Sequence, residues 1–534
     1  MPRRRSRSTY QSHYSGYGRR EKQRKIPSPL PYLLVALLAG AGLAYFQFFT
    51  FQTLTGRVTN AYTNAPLPSI QVLMRSGASP SGTPQASASK GITTTTTQDG
   101  SFIFEKLPEN PIITVSAEGF TPQTVDTAGK RDIQISLVPN VLSGQVLGAD
   151  GKPVPGAQIF AGGVRTAAGS DGKYLLKEVP AERKLLVKAP GYLPTTVQFG
   201  KVVTQNVTLQ PFVAKAIYLS ADTVATPGKL QALLDLVDRT ELNAVVIDVK
   251  ADNTGAVLYD SKLPIVEELD TANAIISNLD GLLAELNERD VYAIARLPAF
   301  WDQAVTAARP EWALKSKKAP GTAWVDGTGR RWANPHNPQV WDYNIQIARE
   351  VAERGFNEVQ FDNAHFPSTG ALEDIDYGPD GAGKKRVDGI SGFLEKAYAE
   401  LSPLGISIGI NVFALTPYVQ DDQGVGHYFE ALAPHCDYIC PTVYPSDFPE
   451  GFLEYSNPSE HPGDIVEATM KNAAKRAATT TAKVRPWLQD FSRKVPYDAP
   501  KVRAEIDAAE QNGAVGWMLW NFNNVYTEGA LKAP

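Results

Sequence analysis

Two cysteines in 534 residues are too few for a disulfide scaffold or a Cys-rich zinc or iron–sulfur site. The six histidines are scattered and none sits in HExxH, so neither a metal site nor a cofactor is expected. No GxGxxG follows an apolar run, which removes the dinucleotide-binding fingerprint. Negative charge is scarce only at the N-terminus. Residues 1–29 carry nine Lys/Arg against Glu21, although the whole chain nets −4. The body is therefore acidic and unsuited to non-specific nucleic-acid binding. What is present, 43 % hydrophobic and 20 % charged residues, describes a folded chain of about three to four domains.

Charge is missing altogether from Leu30 to Phe51, a run of 22 residues. About 20 residues at 1.5 Å rise cross a hydrocarbon core, and a cleaved signal peptide has a shorter apolar region. Tyr45, Phe46, Phe48, Phe49 and Phe51 suit an interfacial boundary. The expectation is an uncleaved single-pass transmembrane helix over 30–51 in the cell membrane. A disordered cytoplasmic arm, 1–29, would precede it, and all later domains would lie on the extracytoplasmic side of the bilayer.

An internal repeat follows. Gly56-Arg57-Val58 with Ala65-Pro66-Leu67-Pro68 returns as Gly144-Gln145-Val146 with Lys152-Pro153-Val154-Pro155. Asp99-Gly100-Ser101-Phe102 returns as Asp171-Gly172-Lys173-Tyr174, and Gly119-Phe120 as Gly191-Tyr192. The first copy carries an insertion in the Ser/Thr/Gly/Pro-rich stretch Ser76–Thr97, read as a long exposed loop. Short alternating segments punctuated by Asp-Gly turns indicate small antiparallel sandwiches. These motifs resemble the carboxypeptidase regulatory-like domain, which implies two seven-stranded, transthyretin-like all-β sandwiches at 52–139 and 140–210. Neither holds a catalytic cluster, so each is read as a spacer or a glycan-binding module.

From residue 211 to 534 the texture changes to apolar runs alternating with amphipathic helices, the pattern of repeated βα units. Eight strand candidates begin at Ala216, Ala244, Val291, Glu358, Ile406, Tyr438, Val484 and Val515. Helices are expected over 230–240, 272–289, 340–354, 390–401, 465–478 and 501–512. Eight such strands suit a (β/α)8 TIM barrel, whose active site lies at the C-terminal ends of its strands. The polar residues there are Asp248 and Lys250, Arg296, Gln360 and Asp362, Asn411, Gln489 and Asp490, and Asn521. Strand alternation puts Asp248 with Lys250, and Gln360 with Asp362, on common faces. Paired carboxylates on one rim are what glycosidic hydrolysis needs, one as acid and one as nucleophile or base. All eight tryptophans fall in this region; Trp324 and Trp332, in a Gly/Pro/Lys-rich loop, are read as sugar-stacking platforms.

Asn243–Lys250 with Gly255 and Tyr259-Asp260, Gly355-Phe356 with Glu358–Asp362 and Phe366-Pro367, Val443–Ser446, Trp487–Phe491, and Gly516-Trp517 with Trp520-Asn521 together resemble a bacterial glycoside hydrolase family. That resemblance implies a TIM barrel related to the alpha-amylase-like hydrolases. The chain departs from the family pattern after Asp362, with Asn363-Ala364-His365-Phe366-Pro367 in place of Tyr-Ile-Arg-Phe-Pro, and with Asp447 where His is usual. The first change removes a cation beside Asp362, which His365 replaces in part.

Two decoys are set aside. Gly378–Lys385 nearly spells a phosphate loop but lacks the final hydroxyl residue. Cys436 and Cys440, four residues apart on a strand, are too far apart for a disulfide. The expectation is thus a membrane-anchored hydrolase of an extracellular or cell-wall polysaccharide. Asp362 would be nucleophile or base and Asp490 the acid, with Asp248, Lys250, Arg296, Gln360, His365, Asn411, Tyr444, Trp520 and Asn521 binding substrate. The alternative is a non-catalytic glycan-binding or envelope scaffold protein with a degenerate barrel.

Overall fold

A computed structural model describes residues 30–50, 53–77, 91–108, 110–127 and 129–534. Leu30–Thr50 forms a helix, with side chains described for 33–45 only. Among the described residues no helix is long and apolar enough to cross a membrane. Phe51, the last residue of the expected span, and the basic arm lie outside them.

The chain divides into two compact units, Met1–Pro139 and Asn140–Pro534. In the first, a three-stranded sheet (Ser101–Phe104, Leu54–Asn60, Asp132–Leu137) faces a four-stranded one (Ile92–Thr95, Gln71–Ser76, Pro111–Val115, Gln123–Asp126). The side chains of Leu54, Val58, Val72, Met74, Ile113, Val115 and Ile135 alternate inward to form the core between them. The expectation of a loop throughout Ser76–Thr97 is corrected at its end. Ile92–Thr95 pairs antiparallel with Gln71–Met74, because its β-branched run completes the sheet edge. Residues 78–90 lie outside the described residues.

The second unit opens with the same arrangement, sheets of three (Lys173–Leu176, Leu142–Gly148, Val207–Leu209) and four strands (Val164–Ala167, Gln158–Ala161, Lys184–Lys188, Thr195–Gln198). The repeated G-x-V glycine has a steric cause in both copies. A Cβ on Gly144 would stand 1.8 Å from the Gln205 carbonyl oxygen, and one on Gly56 2.8 Å from that of Ile133.

Eight parallel strands then close into a barrel: β1 (Lys215–Leu219), β2 (Ala244–Asp248), β3 (Tyr292–Pro298), β4 (Glu358–Asp362), β5 (Ser407–Phe413), β6 (Tyr438–Val443), β7 (Trp487–Gln489) and β8 (Trp517–Trp520). Closure is completed by β5–β6 and β8–β1 pairing. Both faces are covered, so the strands are buried almost throughout. Outward residues such as Val245, Ile247, Val359, Phe361, Ile408 and Ile410 pack against the helices. Inward ones such as Tyr218, Val246, Ile294, Cys440, Trp487 and Met518 fill the barrel. The expected helix over 272–289 begins only at Leu279, capped by Asn278 accepting from the Gly281 N–H. Ala272–Ile276 is instead a strand beside Val257–Tyr259. Both cysteines are free and buried.

The second sandwich is packed onto the N-terminal ends of the barrel strands. Lys188 Nζ donates to Asp437 Oδ2 and to the Ile406 carbonyl, both at 2.7 Å. The Lys188 and Asp437 side chains are only 2 % and 1 % exposed. Gly191 N–H donates to Tyr438 Oη, and the Phe212 ring packs at a tilt against Tyr292 with centroids 4.6 Å apart. This copy therefore forms the floor of the barrel.

Candidate active site

Strand alternation, combined with closure of the sheet, brings residues from six strands to one rim. Arg296 at the end of β3 is the centre. Its Nη1 donates to Asp248 Oδ1 at 2.7 Å and its Nη2 to Asp252 Oδ2 at 2.7 Å. The same Nη2 pairs with Asp362 Oδ2. The guanidinium lies 5.0 Å from the Trp520 ring and 5.9 Å from that of Tyr218, and those two rings stack at 4.1 Å. Tyr218 Oη donates to Asp248 Oδ2 at 2.5 Å. Asn363, held at φ 44°, gives its own N–H to Asp362 Oδ1 and its side-chain amide to Asp252 Oδ1.

Above this cluster opens a cleft of about 250 Å³, walled by Arg296, Asp362, His365, Asn411, Tyr444 and Trp520 among others. Asn411 is fixed from below, its Oδ1 accepting from Trp487 Nε1 at 2.9 Å. The carboxylates are driven apart electrostatically. Burial opposes ionisation of Asp362, but the Arg296 charge, the Asn363 N–H and Asn411 outweigh it and hold its pKa below the ordinary value. Burial raises Asp252, and the Asp362 charge adds to the rise against the pull of Arg296. Burial likewise brings Asp248 to about 6, with Arg296 opposing. His365 is kept neutral by burial, one ring nitrogen meeting the Phe366 carbonyl at 2.8 Å.

A model of the family described as "Putative glycosyl hydrolase domain" matches residues 216–526, more than half of the sequence. The chain belongs to that family. The carboxypeptidase regulatory-like model matches at 53–138 and again at 141–210. No curated protein matches the chain. Among solved structures, a hypothetical protein from Ruminiclostridium thermocellum is 33 % identical, covering 39 % of this chain and 98 % of its own at TM-score 0.33. The glycoside hydrolase domain of PgaB (BpsB) from Bordetella bronchiseptica is 15 % identical over 58 % of this chain and 94 % of its own, at 0.44. That of PelA from Pseudomonas aeruginosa is 9 % identical over 60 % and 98 %, at 0.33.

This glycosyl hydrolase barrel gathers Asp248, Arg296, Asp362, His365, Asn411, Tyr444 and Trp520 as the sequence reading expects. The cation missing after Asp362 is supplied from β3 by Arg296. Other residues fall elsewhere. Lys250 does not share a face with Asp248, because β2 ends at Asp248 and the chain turns. Its fully buried Nζ pairs with Asp302 at 2.6 Å and donates to Asn344. Gln360 sits lower in the barrel, bonded to Trp487, Cys440 and Met518. Asp490 is 2 % exposed and both its oxygens accept from Thr527, at 2.6 and 2.8 Å. Asn521 donates to the Asp490 and Val525 carbonyls. Trp324 and Trp332 are buried, their indole N–H groups bonded to Ala371 O and Asp326. Asp252 and Tyr218 escaped the sequence reading. The Asp-x-x-x-Asp spacing from Asp248 was the one available sign of Asp252.

Proposed function

We propose that the barrel hydrolyses glycosidic bonds of an extracellular or cell-wall polysaccharide, with Asp362 as nucleophile or base and Asp252 as general acid. The observation that carries this is the Arg296 clamp, which puts two carboxylates of opposite pKa tendency on one guanidinium nitrogen, Arg296 and Asp362 themselves lining an aromatic-walled cleft. An acid and a base made from like residues need environments that push their pKa values apart. Asp362 is biased towards the carboxylate and Asp252 towards the acid. Two oxygens bonded to one nitrogen lie within about 6 Å of each other. Retaining glycosidases hold their carboxyl groups about 5–5.5 Å apart and inverting ones about 6.5–9.5 Å, and the shared nitrogen is compatible with the retaining scheme. In that scheme Asp362 attacks the anomeric carbon while Asp252 protonates the departing oxygen. Water, deprotonated by Asp252, then releases the sugar. Arg296 and Asp248 tune the pair, and Tyr444, Asn411 and Trp520 orient the ring.

Asp490 is replaced as the acid in this reading, because it is shut inside the protein at 2 % exposure whereas the Asp252 side chain is 36 % exposed. The charge-free run 30–51 and the basic arm before it support anchoring of the enzyme in the cell membrane, with the barrel outside. The test is turnover of a panel of α- and β-glucans and cell-wall glycans by the full chain, beside Asp362→Asn and Asp252→Asn. Turnover lost in both variants with binding retained establishes the roles. Binding without turnover in the wild type would leave the non-catalytic glycan binder.

A further inference from the structure

The loop that follows β8 is held by a buried polar network yet displays two bare apolar side chains. Phe522 is 62 % exposed and Val525 68 %, while their neighbours are tied down. Asn524 accepts from Ser220 N–H at 3.0 Å and donates to the Tyr218 carbonyl at 2.9 Å. Asn521 and Thr527 close the loop on Asp490. Such a clasp, with the side chains of Asp490, Asn521 and Asn524 buried, fixes the backbone of a six-residue turn. Solvent exposure of a phenylalanine gains nothing in folding, so the rigidity serves what the loop displays.

The display is continuous with the cleft. Tyr444, in the cleft wall, meets Phe491 edge-to-face at 5.7 Å, and Phe491 meets Phe522 at 6.2 Å. A flat ring face matches the apolar C–H face of a pyranose ring, and the exposed Phe522 ring lies two aromatic contacts out from the cleft wall, where the next sugar of a chain would pass. We propose that Phe522, with Phe491 and Val525, forms a rim subsite that stacks a sugar ring of the polysaccharide beyond the cleavage point, and that Asp490, Asn521 and Asn524 are positioning residues for it. This rests on the glycosidase reading of the cleft for the identity of the ligand, but it calls for binding and not for turnover.

The test is affinity electrophoresis of the full chain through gels containing laminarin, xylan, amylopectin or dextran, with Asp362→Asn run alongside. Phe522→Ala is expected to weaken retardation about tenfold, the scale of one lost aromatic contact. Phe522→Tyr, which keeps the ring, restores it. An unchanged thermal midpoint in both variants shows that the fold is intact, as their exposure requires. Asp490→Ala, which frees the loop without touching ligand, weakens binding in the same gels and increases the mobility of the Phe522 ring in 19F spectra of fluorophenylalanine-labelled protein. Retardation that survives Phe522→Ala, or a wild type that no polysaccharide retards, overturns the proposal. Retardation that depends on Phe522 without turnover keeps the subsite and removes the catalytic reading instead.

Discussion

Replacing Lys188 by Met tests whether the second sandwich is part of the barrel's own stability. The substitution keeps the aliphatic stem and removes the ammonium. Asp437, 1 % exposed, then keeps only the Ile408 N–H at 2.8 Å and the Tyr398 hydroxyl at 3.3 Å. It loses its one buried counter-ion, and the Ile406 carbonyl loses its donor. Removing one member of a buried ion pair costs about 3–5 kcal/mol, a large part of the roughly 5–15 kcal/mol that holds a domain folded. The assay is urea denaturation of the full chain followed by tryptophan fluorescence. All eight tryptophans lie beyond residue 300, so the signal reports the barrel while the substitution sits in the sandwich. The expected result is a single transition at lower urea. Asp437→Asn added to Lys188→Met removes the stranded charge and recovers about 2 kcal/mol of it. A barrel transition that moves by less than about 1 kcal/mol would refute the reasoning, because the pair would then carry no net energy.

Other outcomes follow from the same structure. Activity should trace a bell against pH. It is lost on the acid side as Asp362 protonates below the ordinary Asp value, and on the alkaline side as Asp252 ionises above it. Initial rates across pH 2–9 check this. Inside the barrel Arg485 Nη1 and Glu358 pair at 2.7 Å with both side chains fully buried. Glu358→Gln should therefore lower stability by about 3–5 kcal/mol, read as a fall in thermal midpoint with the cleft residues untouched. Gly144→Ala should destabilise the second sandwich, since its Cβ would collide with the Gln205 carbonyl. Limited proteolysis would then cut first within 140–210.

Much of the architecture is a matter of local pattern. Apolar runs of strand length separated by amphipathic stretches specify βα units whatever their partners, which is why Glu358–Asp362 was readable to the residue. The two Asp-Gly turns with their glycines at positive φ marked the repeated sandwich in the same way. The rim at which Asp248, Arg296, Asp362 and Asn411 meet was also implied, because barrel closure gathers strand ends by topology alone. Which of those polar residues face the cleft was not implied. Lys250 lies two residues past Asp248, where strand alternation no longer holds, and its charge goes to Asp302 instead. Asp490 follows β7 just as Asp362 ends β4, yet the loop after β8 folds back and takes both its oxygens. Asp252 enters the site from a loop whose path is fixed by Arg296 on another strand. Periodicity determines which face a residue occupies while the strand lasts; beyond its end, only the partners that packing brings within hydrogen-bond reach decide what a side chain does.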